Sequence, residues 1–122
     1  MTGKELVELA LKRLNYTDVS GAVDVEQNTD LMRRGADAVE YVVTDLLHVM
    51  GEKPVVIDSI DKDLPLPDDV CIRVAVWGVG MMLAASESDG DNQSYFAAHY
   101  NQLRGSVSRK TERLDVLPRP AL

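Results

Sequence analysis

Residues 67–87 read PDDVCIRVAVWGVGMMLAASE, and how this stretch is covered decides the fold. Pro67 presets φ for a first helical turn, and Asp68 and Asp69 place two acids at the positive pole of that turn, so a helix starts here. Arg73 is the only charge between Asp69 and Glu87. Ala75, Gly78, Gly80, Ala84 and Ala85 keep parts of the rod narrow enough for close packing. A helix that is apolar nearly all the way round must be covered nearly all the way round. One small chain is expected to leave part of that cover to neighbouring copies. The apolar run Val70 to Ala85 carries Arg73 and is 16 residues long, short of the roughly 20 that span a bilayer. It is read as buried in protein, with no membrane involved.

Downstream, Ser88 to Asp91 form a polar break in which Asp89 or Asp91 can cap the next helix. Phe96, Tyr100, Leu103 and Val107 then recur at three and four residues, with Tyr95 and Ala98 alongside, until the pattern thins at Lys110 to Arg113. The two segments make a long helical hairpin. Pro118 and Pro120 leave residues 114–122 as an extended tail. Upstream, residues 53–67 hold three prolines and the β-branched Val55, Val56, Ile57 and Ile60, which predicts an extended connection with a short strand pair. Met32, Gly35, Val39, Val42, Leu46 and Met50 mark a helix from about Asn28–Asp30 to Gly51. Residues 15–27 read as a loop, and Leu6, Leu9, Ala10 and Leu14 mark a first helix over 3–15. The expected fold is mainly α: a single helical domain over 1–113 with about four helices, and a tail over 114–122.

The chain has 122 residues with Lys+Arg 13 against Asp+Glu 20, a net charge of -7. Residues 1–66 hold 13 acids and 7 bases, residues 67–122 only 7 acids and 6 bases. An acidic total argues against a tight, sequence-independent grip on phosphates. One cysteine (Cys71) and two separated histidines (His48, His99) exclude a disulfide framework and make a zinc site improbable. The compartment is expected to be reducing, and the first residues lack the pattern of an export signal.

Asp89-Gly90-Asp91-Asn92 fails as an EF-hand, because positions six and twelve are Ser94 and Tyr100. Gly78-Val79-Gly80 lacks the third glycine and preceding strand of a dinucleotide site. Cys71 has no neighbouring base to activate it, and no pair of carboxylates is set up as acid and base. Neither catalysis nor a cofactor or metal is expected. Arg73 is the informative charge: in an apolar helix it needs a partner from elsewhere, as across a subunit boundary, or must snorkel to water. Trp77, one turn on, suits an interface or a core. Arg73, Trp77 and Met81 are the candidate subunit-interface residues.

The run LPLPDDVCIRVAVWGVGMMLAASESDGDNQSYFAAHYNQLR, residues 64–104, resembles the helical head-tail connector (adaptor) proteins of tailed bacteriophages with long non-contractile tails. The likeness rests on the Pro67-Asp68 start, the Ala84 to Asp89 turn, Phe96 and Tyr100-Asn101, with Glu5 to Tyr16 and the Pro-rich close also fitting. Residues 17–30 and 53–66 match least. The resemblance implies a non-enzymatic virion protein, made in the host cytoplasm and placed at the neck. It would form a ring, typically of twelve copies, between the portal protein and the tail-side stopper, with double-stranded DNA passing through the lumen. A negative wall would not hold that duplex. The C-terminal segment of such proteins commonly reaches the portal, which points to Arg109, Lys110, Arg113, Leu114, Leu117, Pro118, Arg119, Pro120 and Leu122 as docking residues. Residues 53–66 would face a neighbouring subunit or the tail side.

Two other classes compete. A small helical DNA-binding or terminase-like packaging component would need a basic recognition helix, and the best candidate, Arg104 to Arg113, is diluted by Glu112. A generic helical enzyme or regulator would need a site that no motif marks.

Overall fold

The computed structural model describes residues 1–16 and 29–116, with side chains of the last helix described through Val107. Four helices make up the bundle: α1 over Gly3–Arg13, α2 over Thr29–Val49, α3 over Asp68–Ser86 and α4 over Gly90–Val116. Within α3, Cys71–Ala75 form a π-turn. A π-turn holds one residue more than an α-turn and so re-aims the side chains on either side of it. The 15–27 loop lies, from residue 17 on, outside the described residues, as do residues 117–122. Helix α4 continues through Leu114 to Val116, so these three residues of the segment read as an extended tail are helical.

Local chemistry sets the helix ends. Thr2 and Glu5 form a reciprocal capping box: the Glu5 N–H donates to Thr2 Oγ1 (3.1 Å) and the Thr2 N–H to Glu5 Oε1 (3.0 Å). Helices α1, α2 and α3 all close with paired 6→1 and 5→2 bonds. They are Tyr16 N to Leu11 O with Asn15 N to Lys12 O, Glu52 N to Leu47 O with Gly51 N to His48 O, and Asp89 N to Ala84 O with Ser88 N to Ala85 O. Each closure needs a left-handed residue, supplied by Asn15 (φ 65), Gly51 (φ 74) and Ser88 (φ 56). Serine tolerates this region poorly. Ser88→Gly is therefore expected to raise stability by about 0.5–1 kcal/mol, the relief of strain exceeding the entropy lost by glycine; a lower urea midpoint would contradict it.

Residues 53–66 hold no helix, but they turn at Ile60–Asp61 and form no strand pair with themselves. Instead Thr2 bridges Asp63 in antiparallel fashion, Lys4 N donates to Ile60 O (2.8 Å) and Leu64 N to Met1 O (2.9 Å). The connection thereby straps the start of α1 to the start of α3, where the Met1 ammonium meets Asp68 at 2.6 Å. Leu64 and Leu66 are buried beneath it, while Val55 and Val56 are exposed.

The core holds most of the expected face of each helix, but Leu9, Met50, Leu103 and Val107 are only half-buried, and Tyr95 and Ala98, expected alongside the last face, are exposed. Leu6, Val7 and Leu11 meet Val39, Val42, Val43 and Leu46, then Val76, Val79 and Leu83, then Phe96. Among the described residues no polar or charged residue is buried. Helix α3 is central, and α1, α2 and α4 all pack on it. The chain covers most of the rod itself, since Cys71, Val74 to Val76, Gly78 to Gly80, Leu83 and Ala84 are all buried within the subunit. The expectation that it leaves part uncovered holds only for an outer strip, where Ile72 and Ala85 are exposed and Val70, Trp77, Met81 and Met82 half-buried. At 19 residues α3 is long and apolar enough to cross a membrane, which the count over 70–85 did not allow; half of its most apolar window is buried inside the bundle, as in a core helix.

Candidate functional site

Of the surface that the three flanking helices leave on α3, the most distinctive part surrounds Trp77. Its indole is half-buried and stacks on His99 (4.5 Å between centroids, 24°), with Phe96 at 5.0 Å and Tyr95 at 6.1 Å, both edge-on. The Arg13 guanidinium, from the end of α1, lies over the indole at 5.0 Å, a cation–π contact. His99 Nδ1 is 3.0 Å from the Tyr95 carbonyl; a carbonyl only accepts, so Nδ1 carries the proton. The His99 ring is half-buried in this aromatic stack.

Arg73 is not a buried charge. It is 62% exposed and pairs with Asp69 one turn back at 3.3 Å, an ordinary i,i+4 surface pair. Ile72 beside it is 40% exposed, and Met81 is half-buried. Arg73, Trp77 and Met81 thus all reach the surface of α3, but the buried-charge argument for Arg73 falls. Of the docking candidates, Arg109, Lys110, Arg113 and Leu114 lie on α4 beyond its described side chains, and Leu117, Pro118, Arg119, Pro120 and Leu122 lie outside the described residues.

A second surface, which the sequence reading missed, lies along the outer side of α2. Asp37, Glu40, Tyr41, Thr44, Asp45, His48, Glu52 and Pro54 line an open groove of about 650 Å³. Tyr41 is 60% exposed. Asp45 at its inner edge is fully engaged: Arg104 grips it through Nε (2.7 Å) and Nη2 (3.0 Å), and the Tyr100 hydroxyl donates to it at 2.6 Å. Asp37, Glu40 and Glu52 form no ion pair among the described residues. The helical spacing of Asp37, Glu40, Tyr41, Thr44 and His48 along one face of α2 was readable, but its exposure depended on where α4 packs.

The groups whose acidity the structure shifts are moved away from neutrality. Arg104 holds the Asp45 carboxyl below the usual carboxylate range. The Tyr16 hydroxyl and Asn92 do the same for Asp89, which joins the end of α1 to the α3–α4 turn and caps α4. Burial pushes Tyr16 up to about 12, Cys71 up to about 11, and Tyr100 higher still than its ordinary value. Acid–base catalysis asks for the opposite, a pKa brought toward the working pH. These networks tie helices together. Among the described residues no three His, Cys, Asp or Glu converge as metal ligands.

Comparison with family models, with curated proteins and with solved structures finds no match to this chain.

Proposed function

We propose that this chain is a structural virion protein, a head-tail connector subunit that assembles as a ring, typically of twelve copies, between the portal and the tail-side stopper. Its lumen passes double-stranded DNA, and its place is the neck of a particle assembled in the host cytoplasm. The observation that carries the reading is the hairpin of residues 64–104, whose motifs resemble those of connector proteins and whose Arg73, Trp77 and Met81 remain at the surface of the helix they would offer to a neighbour. A net charge of -7 supports it, since an acidic wall lets a duplex slide without gripping it. Docking on the portal is assigned to Arg109–Leu122, the locally basic end of an acidic chain.

The test is capture by portal rings encoded in the same genome, read by negative-stain imaging. Wild type adds a collar to the portal. Removing residues 117–122, which lie beyond the last described helix, lowers capture at least about tenfold while the circular dichroism spectrum keeps its helical form. A bare portal with wild-type protein overturns the connector reading; full capture by the truncated chain overturns only the assignment of docking to residues 117–122. Tight, salt-sensitive binding to duplex DNA would favour a packaging component instead.

A further inference from the structure

Two surfaces of this subunit carry charges that form no ion pair among the described residues, and they are of opposite sign. On one, Lys12 and Arg13 at the end of α1 are exposed and form no ion pair among the described residues, with Arg13 spread over Trp77 and the ring of Tyr95 56% exposed nearby. On the other, Asp37, Glu40 and Glu52 line the groove around Tyr41. Two of the neighbouring cations are already used, Arg33 with Asp30 at 3.4 Å and Arg34 with Glu87 at 2.8 Å; Lys53, beside Glu52, lies at the far end of the groove from Asp37 and Glu40.

Packing order places these surfaces on opposite sides of the bundle. Helix α2 packs on both α1 and α4, whereas α1 and α4 meet mainly through α3. Around α3 the order is therefore α1, α2, α4 and then a seam, and that seam faces away from α2. Trp77 fills it, held between Arg13 of α1 and the rings of α4. The outer side of α2 is the acidic groove.

We propose that copies of this chain associate head to tail, the Arg13–Trp77 face of one subunit seating on the Asp37–Glu40–Tyr41 groove of the next. Contacts between two different, opposed faces propagate from copy to copy and close into a ring when the rotation allows, whereas a face that meets itself stops at a dimer. Each interface brings unpaired guanidinium and ammonium groups to unpaired carboxylates, and exposed tyrosine rings to the Trp77 cluster. Such complementarity selects partner and register as much as it adds affinity. The inference deepens the connector reading, on which it rests for the expectation that copies meet.

Charge reversal tests it by sedimentation at low and at physiological salt. Wild type associates beyond a dimer, more strongly at low salt. Lys12→Glu with Arg13→Glu, and separately Asp37→Lys with Glu40→Lys, each weaken association at least about tenfold, with the helical spectrum unchanged because all four side chains are exposed. An equimolar mixture of the two variants associates again, since every interface in an alternating chain pairs opposite charges. A wild type that stays monomeric or stops at a dimer under all conditions, reversed variants that sediment like wild type, or a mixture that stays apart each overturns the proposal. Portal capture of the wild type is read separately: if a collar forms but the reversals leave it intact, the connector reading stands and this interface does not.

Discussion

Phe96→Ala is expected to cost about 3–5 kcal/mol of unfolding free energy, the largest single-residue loss in the bundle. The ring is 2% exposed, lies over Gly80 and meets the Trp77 indole at 5.0 Å. The complementary variant tests the same contact from the other side. A methyl group at Gly80 would fall 2.4 Å from Cδ2 and Cε2 of Phe96, a distance that forces one of the two helices to move. Alanine gains about 1 kcal/mol over glycine in helix propensity, but overpacking a filled core costs about 1–3 kcal/mol. The clash wins, and Gly80→Ala lowers the urea midpoint. In the Phe96→Ala background the sign reverses, because the added methyl enters the vacated space and the propensity gain survives. The resulting cycle has a coupling of about 1–3 kcal/mol. Additive effects of the two changes would mean that Gly80 and Phe96 do not meet in solution as described.

That contact also marks how far the sequence could be read. Phe96, Tyr100, Leu103 and Val107 were visible as one face because helical spacing is local, and so were the faces of α1 and α2. The narrowness of α3 at Gly78 and Gly80 was visible too, but not that Tyr100 and Phe96 fill those notches, since the pairing depends on how the hairpin folds back. The capping box at Thr2 and Glu5 was legible as Thr-x-x-Glu and went unread. Of the two readings of Arg73, a distant partner or a head reaching water, the structure bears out the second, and Asp69, four residues before it, was the local partner that went unread. The hidden error was one of counting: three amphipathic helices supply enough apolar surface to cover most of one greasy helix, so its composition alone does not require sister copies. The Trp77 cluster and the groove on α2 were out of reach. Arg13 is close to Trp77 only because α1 and α4 both lie on α3, and periodicity does not specify such an arrangement.

Asp45 is where tertiary structure and pH meet, and Asp45→Asn is expected to cost about 1–2 kcal/mol at neutral pH, reduced from a fully buried ion pair because Arg104 remains 39% exposed. The amide keeps the shape and one acceptor for the Tyr100 hydroxyl but removes the charge that Arg104 grips in two places. Because Arg104 holds the folded-state carboxyl below its ordinary value, folding favours the ionised form. That contribution is fully present above the unfolded carboxylate pKa of about 4 and is lost as pH falls through the lower folded value. The stability difference between wild type and Asp45→Asn should hold level from neutrality to about pH 5 and narrow steadily below about pH 4. Tyr100→Phe removes the hydroxyl donor and leaves the Arg104 pair. The Tyr100 hydroxyl also helps hold Asp45 ionised, after Arg104, so the deficit of this variant should narrow in acid as well, but by less than that of Asp45→Asn. Glu5 and Asp89 are also held below the ordinary range, so the wild-type curve alone does not isolate Asp45; the difference between variants does, because neither group contacts it. Urea midpoints measured at neutral pH and near pH 3 decide the matter. Parallel curves for wild type and Asp45→Asn would show that folding does not depend on the ionisation of Asp45, and that its charge pair with Arg104 is not what joins α2 to α4.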